Sequence, residues 1–490
     1  MHHRGASLPV LMLAGALFPA GCSILVAGEL DGKPSESEDA GADAVDALDG
    51  TADADVDGTN ADVVDASSDT EDAAVDVPVE AADATDEGDV TGCQACPVDC
   101  CQGSCTDVMT DSQNCGTCGE ACPASRACVG GRCAGGFRSM SEAGAPEPRL
   151  RACAVWTGSE LFVWGGVGIQ GDLLNSGGAY DPLSDTWRTV GAIGAPAVRE
   201  EPSCVAMGDD VFVWGGVDIA SNTLVQGGAI WRSKDNTWKA VSETGALVPR
   251  RWPTVVWTGE RVLIWGGEKL DKANEKSGAL YDPVQDTWQA MSTTNSPDKG
   301  KRLAFAWTGT LLYVFGGRDN AGGAVNNLLR SYHPVQDVWV IISAAVPPSA
   351  RSNAFAAWDG SKLYVWGGFA TDGVGLVDGA AFDPAIPAWT ALSTVAPPSA
   401  RGLIPFRSGW NAWTGDKMLI VGGSDNDFVQ PDSILYDPKA PVETRWSAPA
   451  TWDPPLEHKF GIGVWSGREF ILWGGTDGSE PIPGGTRWMP

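Results

Sequence analysis

Histidine is almost missing from this chain. Four occur in 490 residues, two of them at positions 2 and 3, so only His333 and His458 remain for chemistry. That is too few for a histidine-built metal centre. Basic residues are scarce too, 33 Lys and Arg against 63 Asp and Glu. A net charge of −30 excludes a phosphate backbone as the natural partner. The apolar run from Leu8 to Ala20 covers 13 residues, short of the roughly 20 a spanning helix needs. Outside the cysteine-rich block no nucleophile–base pair, metal-ligand spacing or phosphate-cradling glycine loop stands out. These absences leave no cofactor and no metal to expect.

What is there is unevenly distributed. Residues 1–22 read as an export signal, with Arg4 ahead of "LPVLMLAGALFPAGC". Residues 23–92 form an acidic linker without a single aromatic residue. From Glu29 to Asp89 there are 22 acidic residues and one basic, Lys33, which is −21 of the chain's −30. Such a stretch buries too little apolar surface to offset its backbone entropy, and its charges repel, so an extended solvated spacer is predicted. Its carboxylates suit calcium, yet no EF-hand spacing organises them. Residues 93–135 hold ten of the thirteen cysteines: Cys93, Cys96, Cys100, Cys101, Cys105, Cys115, Cys118, Cys122, Cys128 and Cys133. An even number in an exported segment too small for a core predicts disulfides, with the pairing open. Two CxxC pairs, Cys93/Cys96 and Cys115/Cys118, admit zinc, which an oxidising compartment opposes.

Two resemblances follow from these residues. Ala20-Gly21-Cys22 resembles the lipobox of bacterial lipoproteins, although Pro19 stands where leucine is usual. The resemblance implies acylation of Cys22, and Ser23 after it implies an outer-membrane or cell-surface location in a Gram-negative-type bacterium. "NCGTCGEACPASRACVGGRC" (114–133) resembles the C-terminal half of Stig1-like cysteine-rich modules.

From residue 136 onward the chain repeats itself. Double glycines fall at 165–166, 215–216, 266–267, 316–317, 367–368, 422–423 and 474–475. Each closes a hairpin such as "VWTGSELFVWGG" or "AWDGSKLYVWGG", where a Gly-containing turn joins two β-branched and aromatic runs. A second hairpin follows, as in "GGAYDPLSDTW" (177–187), with proline setting φ in the turn. Aromatic–Gly-Gly, Tyr-Asp-Pro and Trp at a period near 50 resemble the kelch repeat. The resemblance implies an all-β, seven-bladed propeller over 136–490. The last copy, "GGTRWMP" (484–490), lacks its fourth strand, and "FRSMSEAGAPEPR" (137–149) looks like that strand displaced to the other end. The ring is therefore expected to close on a blade made from both ends of the propeller. Tryptophans at the ends of first strands (Trp156, Trp257, Trp307, Trp358, Trp413, Trp465) and the starts of fourth strands are expected between blades.

Candidate site residues come from the connections. Arg149, Arg199, Arg250 and Arg351 recur seven positions before the end of a first strand. One reading makes them a cationic ring at a channel mouth, able to hold a carboxylate or anionic glycan. The other has each arginine tying one blade to the next through carbonyls. Gly300-Lys301-Arg302, Phe406-Arg407 and His458-Lys459 break the pattern in the remaining blades. Cys153 and Cys204 sit one residue out of step within their repeats. A one-residue offset turns a side chain to the opposite face, so two unpaired thiols are expected. The loops after the double glycines vary most and are expected to carry recognition.

The expected function is non-catalytic binding or adhesion to a protein or glycan by a lipid-anchored surface protein. The alternative is a carbohydrate-active enzyme similar to kelch-type sialic-acid epimerases, with Arg199, Glu200 and Glu201 at the channel mouth. A copper centre like that of galactose oxidase lacks its histidines here.

Overall fold

The computed structural model describes residues 99–101, 104–115, 118–119, 121–122, 128 and 137–489, apart from 272–274, 299–302, 319–322, 404–408, 425–431, 449–460 and 477–481. The signal at 1–22, Cys22, the linker, Cys93, Cys96, Cys133, the side chain of Cys100 and the three pattern-breaking sites Gly300–Arg302, Phe406-Arg407 and His458-Lys459 lie outside the described residues. These fall into two compact units, one ending at Asp107 and one running from Val108.

In the first unit a hairpin pairs Asp99–Cys101 with Ser104–Thr106. In the second, Cys115, Cys122 and Cys128 form a small core of their own. Cys115 is bonded to Cys128, and Cys101, Cys105, Cys118 and Cys122 are also disulfide-bonded. Neither sulfur of the Cys115/Cys118 pair is therefore a thiolate for zinc.

Residues 137–489 build seven four-stranded antiparallel sheets. Blade 1 is Cys153–Trp156, Leu161–Trp164, Gly177–Asp181 and Thr186–Thr189. Blades 2 to 6 repeat this order from Ser203, Thr254, Ala304, Phe355 and Gly409. Blade 7 takes Ile462–Trp465, Phe470–Trp473 and Gly485–Trp488 from the C-terminal end and Phe137–Ser139 from the other. Phe137 lies opposite Trp488 and Ser139 opposite Thr486, with the Phe137 and Trp488 rings stacked at 6.4 Å. The displaced strand is where the repeat pattern puts it.

Second strands such as "LFVW", "VLIW" and "LYVW" are buried along their whole length, because each sheet has a neighbour on both faces. Clusters of apolar side chains accordingly span adjacent blades. One joins Val155, Phe162 and Trp164 of blade 1 to Val213, Trp231 and Trp238 of blade 2. The tryptophans that begin fourth strands are buried as expected, apart from the half-buried Trp288, and several donate an indole N–H to the previous blade. Trp187 reaches Ser141 O at 2.9 Å, Trp238 reaches Gly191 O at 2.7 Å and Trp288 reaches Ser242 O at 2.7 Å. The first-strand tryptophans are half-buried, except Trp465, which is buried. The indoles that precede the double glycines, Trp164, Trp214, Trp265, Trp366 and Trp473, are also fully buried, at 0–1% exposed.

The turn between third and fourth strands supplies a further tie. Asp185, Asp286 and Asp337 accept from the backbone amides of Ser141, Ser242 and Ser292, one blade back, at 3.0, 2.9 and 2.7 Å. Sheet twist carries the outer strands so far around the circumference that one blade's exit meets the next blade's turn.

The exit loop has a left-handed residue five positions before the recurring arginine. Gly144, Gly194 and Gly245 hold it at φ of 75–76°, followed by Asn295 at 63°, Val346 at 54° and Ala396 at 48°. Valine resists this region because its β-branch crowds the backbone. Val346 is also 80% exposed, so its side chain contributes little packing. Val346→Gly should stabilise the protein by about 1 kcal/mol, the relieved strain exceeding the entropy of the added glycine. Denaturant titration checks this, and a lower midpoint would contradict it.

Among the described residues no helix is long and apolar enough to cross a membrane.

Candidate functional site at the axial mouth

The first strands of neighbouring blades lie against one another, so they are innermost. Each starts beside the end of the second strand, as Cys153 pairs with Trp164. The connections into first strands and the loops after the double glycines therefore share one face of the ring. The short turns occupy the other. On the first face, the residues just ahead of each first strand surround the axis.

The recurring arginines lie here, but not as free cations. Arg149, Arg199, Arg250 and Arg351 are 0–2% exposed. Arg250 Nη1 donates to Gly266 O at 3.0 Å and Ser277 O at 2.9 Å, Nη2 to Ser277 Oγ at 3.1 Å, and Nε to Val248 O at 3.0 Å. Arg149, Arg199 and Arg351 repeat the arrangement on the carbonyls of Gly165, Gly215 and Gly367. The arginine's own carbonyl faces the blade before, where Gly166 N donates to Arg199 O at 2.9 Å and Gly368 N to Arg401 O at 2.9 Å. The first glycine of the pair permits this approach, since a Cβ on Gly367 (φ 68°) would sit 2.5 Å from Arg401 O. Each arginine thus rivets two blades. Burial lowers Arg149, Arg199 and Arg250 to about 10, which still leaves them charged at neutral pH. The cationic ligand ring proposed for these four residues is replaced by a structural role, because their donors are already engaged.

A fifth rivet escaped the repeat count. Arg401 donates to Ser399 O at 3.2 Å and Gly422 O at 3.4 Å, and both its terminal nitrogens reach the Asp432 carboxylate. It lies 21 residues before its glycine rather than 16. Counting back from Trp413 therefore landed on Phe406, inside an insertion.

What remains accessible to function sits one and two residues past the rivets. The second of these positions is left-handed in Arg151, Glu201, Trp252 and Asn353, with φ of 55–59°. Backbone bonds link it around the axis, Glu201 N to Arg151 O and Leu403 N to Asn353 O, both at 2.8 Å. Over blades 1 to 3 these positions hold four charged residues, Arg151, Glu200, Glu201 and Arg251, beside Leu150 and Trp252. Arg151 Nη1 meets Glu200 Oε2 at 2.8 Å, Arg251 Nη2 meets Glu268 Oε1 at 3.3 Å, and Arg251 Nη1 lies 4.0 Å from Glu201 Oε2. The Arg251 guanidinium stands 3.8 Å from the centre of the Trp252 ring. Glu200, Glu201, Arg251 and Glu268 are all buried. Burial, then repulsion from Glu200, pushes the Glu201 carboxyl up to about 8 against the pull of Arg151 and Arg251.

Sequence reasoning singled out Arg199, Glu200 and Glu201 together. The structure assigns Arg199 to a rivet and joins the two glutamates to Arg151, Arg251 and Glu268. The signal for these was present, since the position after the rivet is charged in blades 2 and 3, Glu200 and Arg251, against Leu150, Ser352 and Gly402 after the other described rivets. Aligning it needs all the rivets in register.

Cys153 and Cys204, expected as unpaired thiols, form a disulfide across blades 1 and 2. The reason is geometric. Blades stand face to face, so the upper face of one meets the lower face of the next, and the one-residue offset aims the two sulfurs at each other. Equal offsets would have pointed both the same way. The bond pins the two blades just beyond Arg151 and Glu201. Cys204→Ser should cost up to about 4 kcal/mol, the loop-closure entropy for a 51-residue separation. Thermal melts with and without reductant check this, and identical midpoints would contradict it.

Glu201 also predicts a pH dependence. Its proton is held in the native state but lost from the unfolded chain above about 4.5, so stability falls as pH rises from there through about 8. Glu201→Gln should flatten that part of the stability profile. A wild-type profile already flat between pH 5 and 8 would contradict the assignment. Among the described residues no group of three His, Cys, Asp or Glu is placed to hold a metal.

Residues 252–475 match the KLHDC2/KLHL20/DRC7 Kelch-repeats domain, and residues 81–153 match the Stigma-specific STIG1-like protein family. A kelch-repeat domain and a Stig1-like domain are found. Among curated proteins, the chain is similar to Adagio-like protein 1 of Oryza sativa subsp. japonica, 28% identical over 147 residues, covering 28% of this chain and 22% of that protein. It is also similar to Putative adagio-like protein 2 of the same plant, 26% identical over 146 residues, 28% of this chain and 21% of that protein. The chain thus spans about a fifth of the length of these relatives. A kelch-repeat propeller suggests a protein-interaction role.

Proposed function

We propose that this chain is a non-catalytic surface binding protein that recognises a protein or glycan with the face of its kelch-repeat propeller carrying the axial mouth. The observation that carries the reading is the asymmetry of that mouth. Five described blades share the arginine rivet, whereas the ion-paired cluster of Arg151, Glu200, Glu201, Arg251 and Glu268 lies, among the described residues, over blades 1 to 3. The equivalent positions of blades 5 and 6 hold the uncharged Ser352-Asn353 and Gly402-Leu403. The variable loops on the same face would add contacts around it.

Cys22 would carry the lipid, residues 23–92 the spacer and 93–135 a stapled knob, holding the propeller away from an outer membrane. The disulfides suit an exported location. Anchoring is tested by detergent partition: mature wild-type protein should enter the detergent phase and Cys22→Ser should not. Wild-type protein in the aqueous phase would remove the anchor from the account.

One observation favours the rival reading of a carbohydrate-active enzyme, because a carboxyl titrating at about 8 is protonated at neutral pH and suits a general acid. A glycan and protein-binding screen with wild type and Glu201→Gln, run beside product analysis on sialic acids, separates the two. Retention without turnover supports binding, and any catalytic turnover lost in Glu201→Gln overturns it.

A further inference from the structure

We propose that the outer edge of blade 4 pairs antiparallel with the same edge of a second copy of this chain, joining two four-stranded sheets into one. Val338–Ile342 is the outermost strand of that blade. The corresponding strands of blades 1, 2 and 7 carry a charge, Arg188, Lys239 or Arg138, and that of blade 3 carries Gln289. Charge on an edge strand keeps other strands away. Blade 4 reads Val-Trp-Val-Ile-Ile instead, and Val338, Val340 and Ile341 are 45–49% exposed. The edge of blade 5 is uncharged as well, but its Ala388, Thr390 and Ala391 offer little apolar surface.

A second exception to the repeat falls on the same edge. Asp185, Asp286 and Asp337 latch the amides of Ser141, Ser242 and Ser292, and Asn236 latches that of Gly191 in the same way. The equivalent residue of blade 5 is Pro387, whose side chain accepts no hydrogen bond. The amide it would have held, Ser343 N, has no acceptor among the described residues, and Ser343 is exposed.

The alternation of the backbone makes this edge usable. Val190, Val241, Met291 and Leu392 donate their amides inward to the third strands of their own blades. Ile342 is their equivalent, so Ile342, Val340 and Val338 face inward, and Trp339, Ile341 and Ser343 turn amide and carbonyl outward. The latched amides of Ser242 and Ser292, one residue further on, point outward as this requires. Among the described residues the strand pairs with Leu329–His333 alone, and none of its outward groups has another partner.

Symmetry and charge identify the occupant. A two-fold axis through Val340 sets Trp339 of each copy opposite Ile341 of the other, each pair exchanging both of its hydrogen bonds. Identical copies of a chain with a net charge of −30 repel one another, yet residues 338–343 carry no charge to oppose their own image. β-Branched side chains then meet across the junction. Val335, 84% exposed in the turn before the strand, extends the apolar surface at one end. Ile386, 69% exposed, extends it at the other, in the blade 5 turn whose Ala388 bridges Ala345. Two such surfaces together bury on the order of 1,000 Å², the lower end for a specific interface, so the dimer is expected to be weak.

Sedimentation equilibrium of the intact chain, with Cys22→Ser so that no lipid drives association, tests this. A monomer–dimer equilibrium with a dissociation constant of about 1–100 µM is expected. Val340→Lys sets two ammonium groups against each other at the axis and should weaken dimerisation at least about tenfold. Thr390→Lys, at the same place in blade 5, should leave it unchanged. Hydrogen exchange needs neither edge variant, so misfolding of one does not decide the outcome: the amides of Trp339 and Ile341 should exchange more slowly as the dimer forms. A chain that stays monomeric up to ~0.5 mM overturns the proposal. So does a dimer that Val340→Lys does not weaken, or one that leaves those two amides unprotected. A monomer in which an added peptide of alternating threonine and valine protects them gives the edge to a foreign strand, and overturns the second copy. None of these outcomes bears on binding at the axial face.

Discussion

Arg250→Ala is expected to destabilise the propeller by about 3–5 kcal/mol, more than any change at an exposed connection. The side chain is 0% exposed and donates to three carbonyls and a hydroxyl. Alanine leaves Gly266 O without this donor in a dry seam, where an unsatisfied acceptor costs about 1–3 kcal/mol, and takes one of two donors from Ser277 O, which keeps the Gly266 amide. The volume left behind adds a cavity cost. Arg250→Lys should recover only part of this, since an ammonium on one stem cannot reproduce a planar fork that meets carbonyls on both sides. Chemical denaturation of the three proteins checks the order wild type, lysine, alanine. A stable alanine variant that had lost only a ligand would restore the cationic ring that the structure replaces.

Removing the displaced strand should do comparable damage by another route. A chain that begins after Ser139 loses the pairing of Phe137, Arg138 and Ser139 with Trp488, Arg487 and Thr486. Trp488, 1% exposed in the intact protein, would lose the ring stacked on it. Blade 7 would then present a bare hydrophobic edge, which invites pairing with other chains. The expected loss is about 3–5 kcal/mol, of the order of deleting one large buried aromatic residue, together with aggregation on heating. A truncated protein that melts like wild type would show that the ring does not depend on this strand.

Much of the fold was legible because a propeller states itself many times over. The hairpins, the double glycines and the orphaned "FRSM" segment are local patterns, and repetition removes the ambiguity of any one of them. The site was less legible because its geometry lies between copies. The one-residue offset of Cys153 and Cys204 would turn the two side chains to opposite faces of a single sheet. Across two facing sheets the same parity argument gives the opposite answer. Arg401 was hidden by an insertion between rivet and strand. The recurring arginines were recognised as a set, and only burial distinguished a rivet from a ligand contact. Glu201 differs from its counterparts Asn353 and Leu403 by chemistry rather than by pattern, so a search for regularity passes over it. Regular positions build this ring, and the exceptions to the pattern are where function is to be sought.

Hydrogen exchange at Gly485–Trp488 tests the closed ring most directly. With the strand Phe137–Ser139 paired to it, these amides should exchange as slowly as those of Phe470–Trp473 in the same blade, and should speed up when residues 1–139 are removed. Fast exchange at 485–488 in the intact chain, unchanged by that truncation, would contradict the account.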